Sequence, residues 1–122
     1  MKNIQIEDFG KDHWSMLAYV ECVAVDCKGQ IDCRRIRMKN NKYWKSEYTT
    51  RLKNNAITEN HDDVDCLNDF EHNGLIEVIS YANLIIKMTE KGNKMSENLR
   101  NFKSSGGKFA NFGDSEYYLK LK

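Results

Sequence analysis

Proline is absent from all 122 residues, which excludes proline-rich linkers and leaves tight turns to glycine and asparagine. Long apolar runs are missing too. The first twenty residues carry Lys2, Glu7, Asp8, Lys11 and Asp12, a spacing of charge that does not give the apolar segment of a secretory signal or membrane span. A soluble, cytoplasmic protein with no membrane association is the expectation. Cysteine is limited to Cys22, Cys27, Cys33 and Cys66, and without a signal peptide these are expected to remain free thiols. Lysine and arginine are wholly lacking between residues 54 and 86, where seven acidic side chains accumulate.

That last gap shows how uneven the charge is. A formal net charge of +1 conceals segments of −3 (residues 1 to 27), +7 (28 to 53), −7 (54 to 86) and +4 (87 to 122). Total charge therefore says little about partners, whereas its distribution says more. A chain of 122 residues, 40% of them hydrophobic, is long enough for one modest core and one domain.

The most patterned stretch runs from residue 62 to 103. Val64, Leu67 and Phe70 recur at helical spacing, and Asn73-Gly74 closes that helix in the manner of a left-handed cap. At the glycine the period changes. Leu75-Ile76-Glu77-Val78-Ile79 reads as a strand, Ser80-Tyr81-Ala82-Asn83 as a turn, and Leu84-Ile85-Ile86-Lys87-Met88 as a second strand. Thr89 then caps a helix carrying Met95, Leu99 and Phe102 on one face.

The order Leu67-x-x-Phe70-Glu71-x-x-Gly74-Leu75-Ile76-Glu77, followed by hydrophobics and Met88-Thr89-Glu90-Lys91-Gly92, resembles the second half of a winged-helix domain of the MarR type. The resemblance implies an α+β, helix-dominated fold in which the helix from Asp62 is the recognition helix, the two strands form a wing, and the last helix leads into a dimer. It covers about a third of the chain. Winged helices serve both nucleic-acid and protein binding, so fold alone does not choose between these functions. The whole chain is also similar to small bacteriophage and prophage proteins, a likeness that implies no particular activity. The corresponding domain spans residues 1 to 104, with an insert at about 39 to 60. Residues 105 to 122 form a tail.

Upstream, Asp12 is placed to N-cap a helix from about His13 to Val25, apolar nearly all round. Such a helix is central to the fold or shared between two subunits, and a homodimer through the first and last helices is compatible with both. Gln30-Ile31-Asp32 reads as a short strand pairing with the wing, and Cys33 to Lys39 as a short basic helix with Ile36 inward. The insert then departs from a compact winged helix; its Tyr48 to Thr58 portion reads as a hairpin turning at Asn54-Asn55, residues that tolerate positive φ. After Lys103-Ser104-Ser105-Gly106-Gly107 comes a tail containing Phe109, Phe112, Tyr117, Tyr118 and Leu119. It is too apolar for a purely disordered segment and should pack on its own domain or on a partner subunit.

Two charged constellations suggest binding. Arg34, Arg35, Arg37, Lys39, Lys42, Lys45, Arg51 and Lys53, interleaved with Tyr43, Trp44 and Tyr48, are the composition of a nucleic-acid surface. They also fit a solvated face anchored by Trp44. Conversely, Asp62, Asp63, Asp65, Asp69 and Glu71 crowd the expected recognition helix without a lysine or arginine, which opposes major-groove reading and suits a basic protein partner. Asp62 and Asp63 would in addition favour the helix dipole.

Metal and catalytic signals are weak. The cysteine spacings do not match paired zinc ligands, and Cys22 and Cys66, next to apolar positions, read as buried, inert thiols. His61-Asp62-Asp63 joins a base with carboxylates but lacks a nucleophile or glycine-rich phosphate cradle, so His61 reads as a helix-start residue. No cofactor, metal or enzymatic activity is expected. The sequence points to a nucleic-acid-binding or transcription-regulating winged helix, or alternatively to a protein-interaction winged helix that modulates a host factor through its acidic helix.

Overall fold

The computed structural model describes residues 3 to 38 and 48 to 121; Lys39, Lys42, Tyr43, Trp44 and Lys45, included in the expected basic surface, lie outside the described residues. The fold is mixed α+β. In chain order it comprises a 3₁₀ turn (Ile6–Asp8), helix α1 (Lys11–Asp26), strands β1 (Thr49–Arg51) and β2 (Ile57–Glu59) with a second 3₁₀ turn (Lys53–Asn55) between them, and helix α2 (Asp63–His72). Strands β3 (Ile76–Ser80) and β4 (Ile85–Met88), helix α3 (Glu90–Ser104), a 3₁₀ segment (Phe109–Asp114) and helix α4 (Glu116–Leu119) complete it. Each strand pair forms its own antiparallel two-stranded sheet.

The first hairpin pairs Thr49 with Glu59 and Arg51 with Ile57. Asn54 and Asn55 both adopt the left-handed conformation (φ 62° and 65°), which asparagine tolerates better than branched residues. Downstream, α2 is closed at both ends by local chemistry. Asp62 accepts from the Asp65 N–H at 2.9 Å while Asp65 accepts from the Asp62 N–H at 3.0 Å, a reciprocal capping box. At the other end Gly74 takes φ 78° and passes the chain into β3. Thr89 caps α3 by accepting the Gly92 N–H at 3.0 Å.

Several sequence expectations are corrected. Helix α1 begins two residues earlier than expected, and Gly10 rather than Asp12 is its N-cap residue. Gly10 sits so close to β1 that a Cβ there would lie 2.4 Å from the Arg51 carbonyl oxygen. Asp12 instead reaches across, its Oδ2 accepting the Arg51 N–H at 2.7 Å. Cys22 is exposed, not buried; only Cys66 is.

Residues 33 to 36 form a turn and bend and 37 to 38 are irregular, not a helix, because Asp32 takes the Arg34 N–H and guanidinium on its carboxylate and Arg37 is drawn to Asp63. Ile36 is nevertheless buried. The strand expected at Gln30 to Asp32 is reduced to a single bridge, Gln30 opposite Ile85 of β4. Leu84, expected within the second strand, precedes it; its left-handed backbone (φ 52°) turns its side chain into the core.

Trp14, Leu17 and Val20 of α1 meet Leu67 and Phe70 of α2, Ile76 and Ile86 of the second hairpin, and Met95 and Leu99 of α3 in one core. The tail belongs to it. Phe112 is fully buried with its ring 4.7 Å from Trp14, and Tyr118 stands 5.7 Å from the same indole, edge-on arrangements that suit aromatic quadrupoles.

Close approach explains Gly92. A Cβ at this position would fall 1.9 Å from the Leu75 carbonyl oxygen, so only glycine lets the start of α3 rest against the start of the second hairpin. Gly92→Ala should therefore cost about 2 to 3 kcal/mol of unfolding free energy in urea titrations, by overpacking against backbone. Gly74→Ala, whose Cβ would meet nothing nearer than 3.9 Å, should cost only about 1 kcal/mol, from its left-handed φ.

Candidate functional site

Beneath the first hairpin, polar side chains from separate segments converge on one buried carboxylate. His13 lies in the first turn of α1, Thr50 on β1, His61 between β2 and α2, and Asp69 on the inward side of α2. Relative exposures are 0% for His13 and Thr50, 3% for His61 and 2% for Asp69, so none meets solvent directly.

Local geometry aims each group. Phe9 stacks parallel on the His13 ring at 4.1 Å and 6°, fixing the imidazole against α2. The His61 N–H donates to the Tyr48 carbonyl at 3.1 Å, which holds His61 against the hairpin. Asp69 Oδ2 then lies 2.8 Å from His13 Nε2 and 2.9 Å from His61 Nε2. Its second oxygen accepts the Ile4 N–H at 3.0 Å and the Asn3 amide at 3.3 Å. Behind His61, Thr50 Oγ1 stands 2.7 Å from Nδ1 and 3.0 Å from the His61 carbonyl oxygen. His13 Nδ1 is buried without a hydrogen-bond partner among the described residues.

Burial favours neutral groups, and the two acid–base partners respond differently. Burial pushes His13 below its ordinary 6.5, against the opposing pull of the Asp69 carboxylate. Burial would raise Asp69, but hydrogen bonds from His13, His61 and the Ile4 N–H outweigh it and hold the carboxyl well below the usual carboxylate range. Both shifts leave the native chain with fewer bound protons than the unfolded one on acidification. The His13 contribution is complete above pH 6.5 and declines as pH falls toward its folded value. That of Asp69 is present above 3.8 and disappears as pH falls through its lower folded value.

The arrangement can hold a proton or a cation, but it does not present a nucleophile. Thr50 is sealed from solvent, and burial pushes the Cys66 thiol, 4.0 Å from His61 Nδ1, well up, away from the reactive thiolate.

The residues singled out in the sequence are dispersed. Arg34 and Arg35 are exposed, at 68% and 74% of their side-chain surface, and both approach Asp32. Arg37 is part-buried and holds Asp63 at 2.8 Å, with a further hydrogen bond to the Thr49 carbonyl. Lys53 pairs with Asp114 at 3.1 Å, and Arg51 is exposed.

On α2, Asp62 and Asp65 cap the helix, Asp63 binds Arg37, and Asp69 is buried between imidazoles. Glu71 accepts the Val78 N–H at 2.8 Å and the Tyr81 hydroxyl at 3.0 Å. His61, read from sequence as a helix-start residue, is instead an integral part of the buried cluster. His13, which with His61 and His72 stands beside the cysteines as a possible ligand by residue type, has no spacing that links it to Asp69, because the two are 56 positions apart.

The chain matches no protein-family model, no curated protein and no solved structure. Geometry and chemistry therefore carry the functional reading.

An amide at position 69 cannot replace the carboxylate, since one of its two ends is a donor facing groups that need an acceptor. Asp69→Asn should lower unfolding free energy by about 3 kcal/mol, in the range for breaking a buried charged hydrogen-bond network. Urea denaturation checks this, and Asn68→Ala, at an exposed neighbour, should change stability by less than about 0.5 kcal/mol.

Proposed function

We propose that this chain is a non-enzymatic winged-helix protein that binds nucleic acid, using its basic segment and second hairpin instead of the helix that would ordinarily read bases. The element order supports the winged-helix reading. Helix α1, the Gln30 bridge to β4, helix α2, the β3–β4 hairpin and α3 come in the order of first helix, first strand, recognition helix, wing and last helix, with the β1–β2 hairpin inserted ahead of α2.

The observation that carries the functional reading is the fate of the acidic residues. Asp62, Asp63, Asp65, Asp69 and Glu71 are engaged in caps, in the Arg37 pair, in the histidine cluster and on the second hairpin. Little of their charge is available to a basic protein partner, and α2 shows solvent Asn68 and His72 instead. Meanwhile Arg34, Arg35 and Arg51 project outward, as do Lys87 on β4 and Lys91 and Lys94 on α3. Cations of this kind neutralise phosphates and release condensed counterions, a sequence-independent attraction that does not require α2 to enter a groove.

Fluorescence anisotropy with labelled duplex and single-stranded oligonucleotides at increasing salt tests the reading. Binding should weaken steeply with salt, and Arg34→Glu with Arg35→Glu and Arg51→Glu should reduce affinity by about tenfold or more at low salt. Arg37 is left intact because it supports Asp63. Absence of binding at low salt, or affinity unchanged by the triple reversal, would overturn the proposal.

A further inference from the structure

We propose that His13, His61 and Asp69 form a buried structural site for one zinc-class divalent transition-metal ion. The inference does not rest on the nucleic-acid reading. Two imidazole nitrogens and one carboxylate oxygen lie within 4.8 Å of one another, all three residues buried. Nitrogen with oxygen donors suits zinc and its first-row neighbours better than calcium or magnesium, which prefer oxygen alone.

A small movement admits an ion. At metal–ligand lengths of about 2.0 to 2.1 Å, tetrahedral donors lie about 3.3 Å apart. Asp69 Oδ2 stands 2.8 Å and 2.9 Å from the two imidazole Nε2 atoms, so each imidazole would draw back by about half an ångström to take an ion in place of a proton.

The Thr50 hydroxyl adds a second observation. Its one hydrogen lies within reach of both the His61 carbonyl oxygen at 3.0 Å and His61 Nδ1 at 2.7 Å. With the hydroxyl hydrogen on Nδ1, Nε2–H of His61 donates to Asp69; with it on the carbonyl, Oγ1 accepts from Nδ1–H and Nε2 turns a lone pair toward Asp69 Oδ2, the arrangement in which a cation sits between them. The same Nδ1–H to hydroxyl contact is the outer support that orients metal-binding histidines.

Asp69 has no lysine or arginine partner among the described residues, so its charge is otherwise met only by hydrogen-bond donors. Being closed to solvent, the site would tie α1, the hairpin exit and α2 together without offering a position to substrate.

The test uses the full chain with the exposed thiols removed (Cys22→Ser, Cys27→Ser, Cys33→Ser), stripped with chelator and titrated with Zn²⁺ or Co²⁺, with Mg²⁺ as control. One equivalent of Zn²⁺ should bind and raise Tm by several degrees, since a ligand of the native state stabilises by mass action. Mg²⁺ should do neither. Bound Co²⁺ should show d–d absorption without a thiolate charge-transfer band. His13→Phe, which keeps an aromatic ring on Phe9, should abolish the zinc-dependent rise. The proposal is overturned if stoichiometric Zn²⁺ and Co²⁺ do not bind, if the cobalt spectrum shows thiolate ligation, or if folded His13→Phe retains the full shift. The cobalt spectrum decides the matter even where that variant does not fold.

Discussion

A carboxylate taken out of water must find donors or a cation, and Asp69 gathers its partners from almost every part of the N-terminal half. The Ile4 N–H and Asn3 amide arrive from the extended N-terminal segment, His13 from α1 and His61 from the exit of the first hairpin. The N-terminal segment is held to α2 at a second point, where Asn73 accepts the Ile6 N–H at 3.1 Å and donates to the Ile4 carbonyl at 3.0 Å, while the shared carboxylate joins that segment to α1 and to the hairpin exit. An apolar residue at 69 would leave the Ile4 N–H and two imidazoles without a partner in a dry interior, where each unmet polar group is costly.

Around this polar centre the apolar core closes by close approach. Phe9 faces both worlds, stacked on His13 on one side and edge-on to Trp14 and Phe70 at 5.3 Å and 5.7 Å on the other. Trp14 passes the contact on to Phe112 and Tyr118 of the tail. The tail thus packs on α1 through Trp14, one residue on from His13, so neighbouring faces of the first turn of α1 meet a polar network and an aromatic one. This accounts for a helix that looks apolar nearly all round but is not uniformly buried: Val25, beyond both networks, is 77% exposed.

Features governed by neighbours in sequence were legible before the fold was known. The Asn54-Asn55 turn, the Gly74 reversal and the Thr89 cap depend on side chains within a few positions of the backbone they serve, and all three stand where expected. Features governed by distant partners were not. Asp12 has the composition of a cap, yet β1 comes near enough for the Arg51 N–H to claim its carboxylate. Cys33 to Lys39 has a helical composition, but Asp32 and Asp63 take up the arginines that would line such a helix. The histidine cluster unites residues 8 and 56 positions from Asp69, and no periodicity connects them.

Charge counted along the chain does not say where each carboxylate ends up in the fold. The −7 segment suggested a negative helix face, whereas α2 uses its carboxylates to hold itself and its neighbours: two on its own cap, one on Arg37, one on histidines, one on the second hairpin. A carboxylate satisfied by donors on several sides projects a weaker field than a free one, and screening weakens it further beyond about 8 to 10 Å. The +7 segment is drawn on in the same way: Arg37 is held by Asp63, and Arg34 and Arg35, though exposed, both approach Asp32. Charges of opposite sign, within a block and between blocks, are thus taken up by each other, which is why block totals do not map onto patches of the surface.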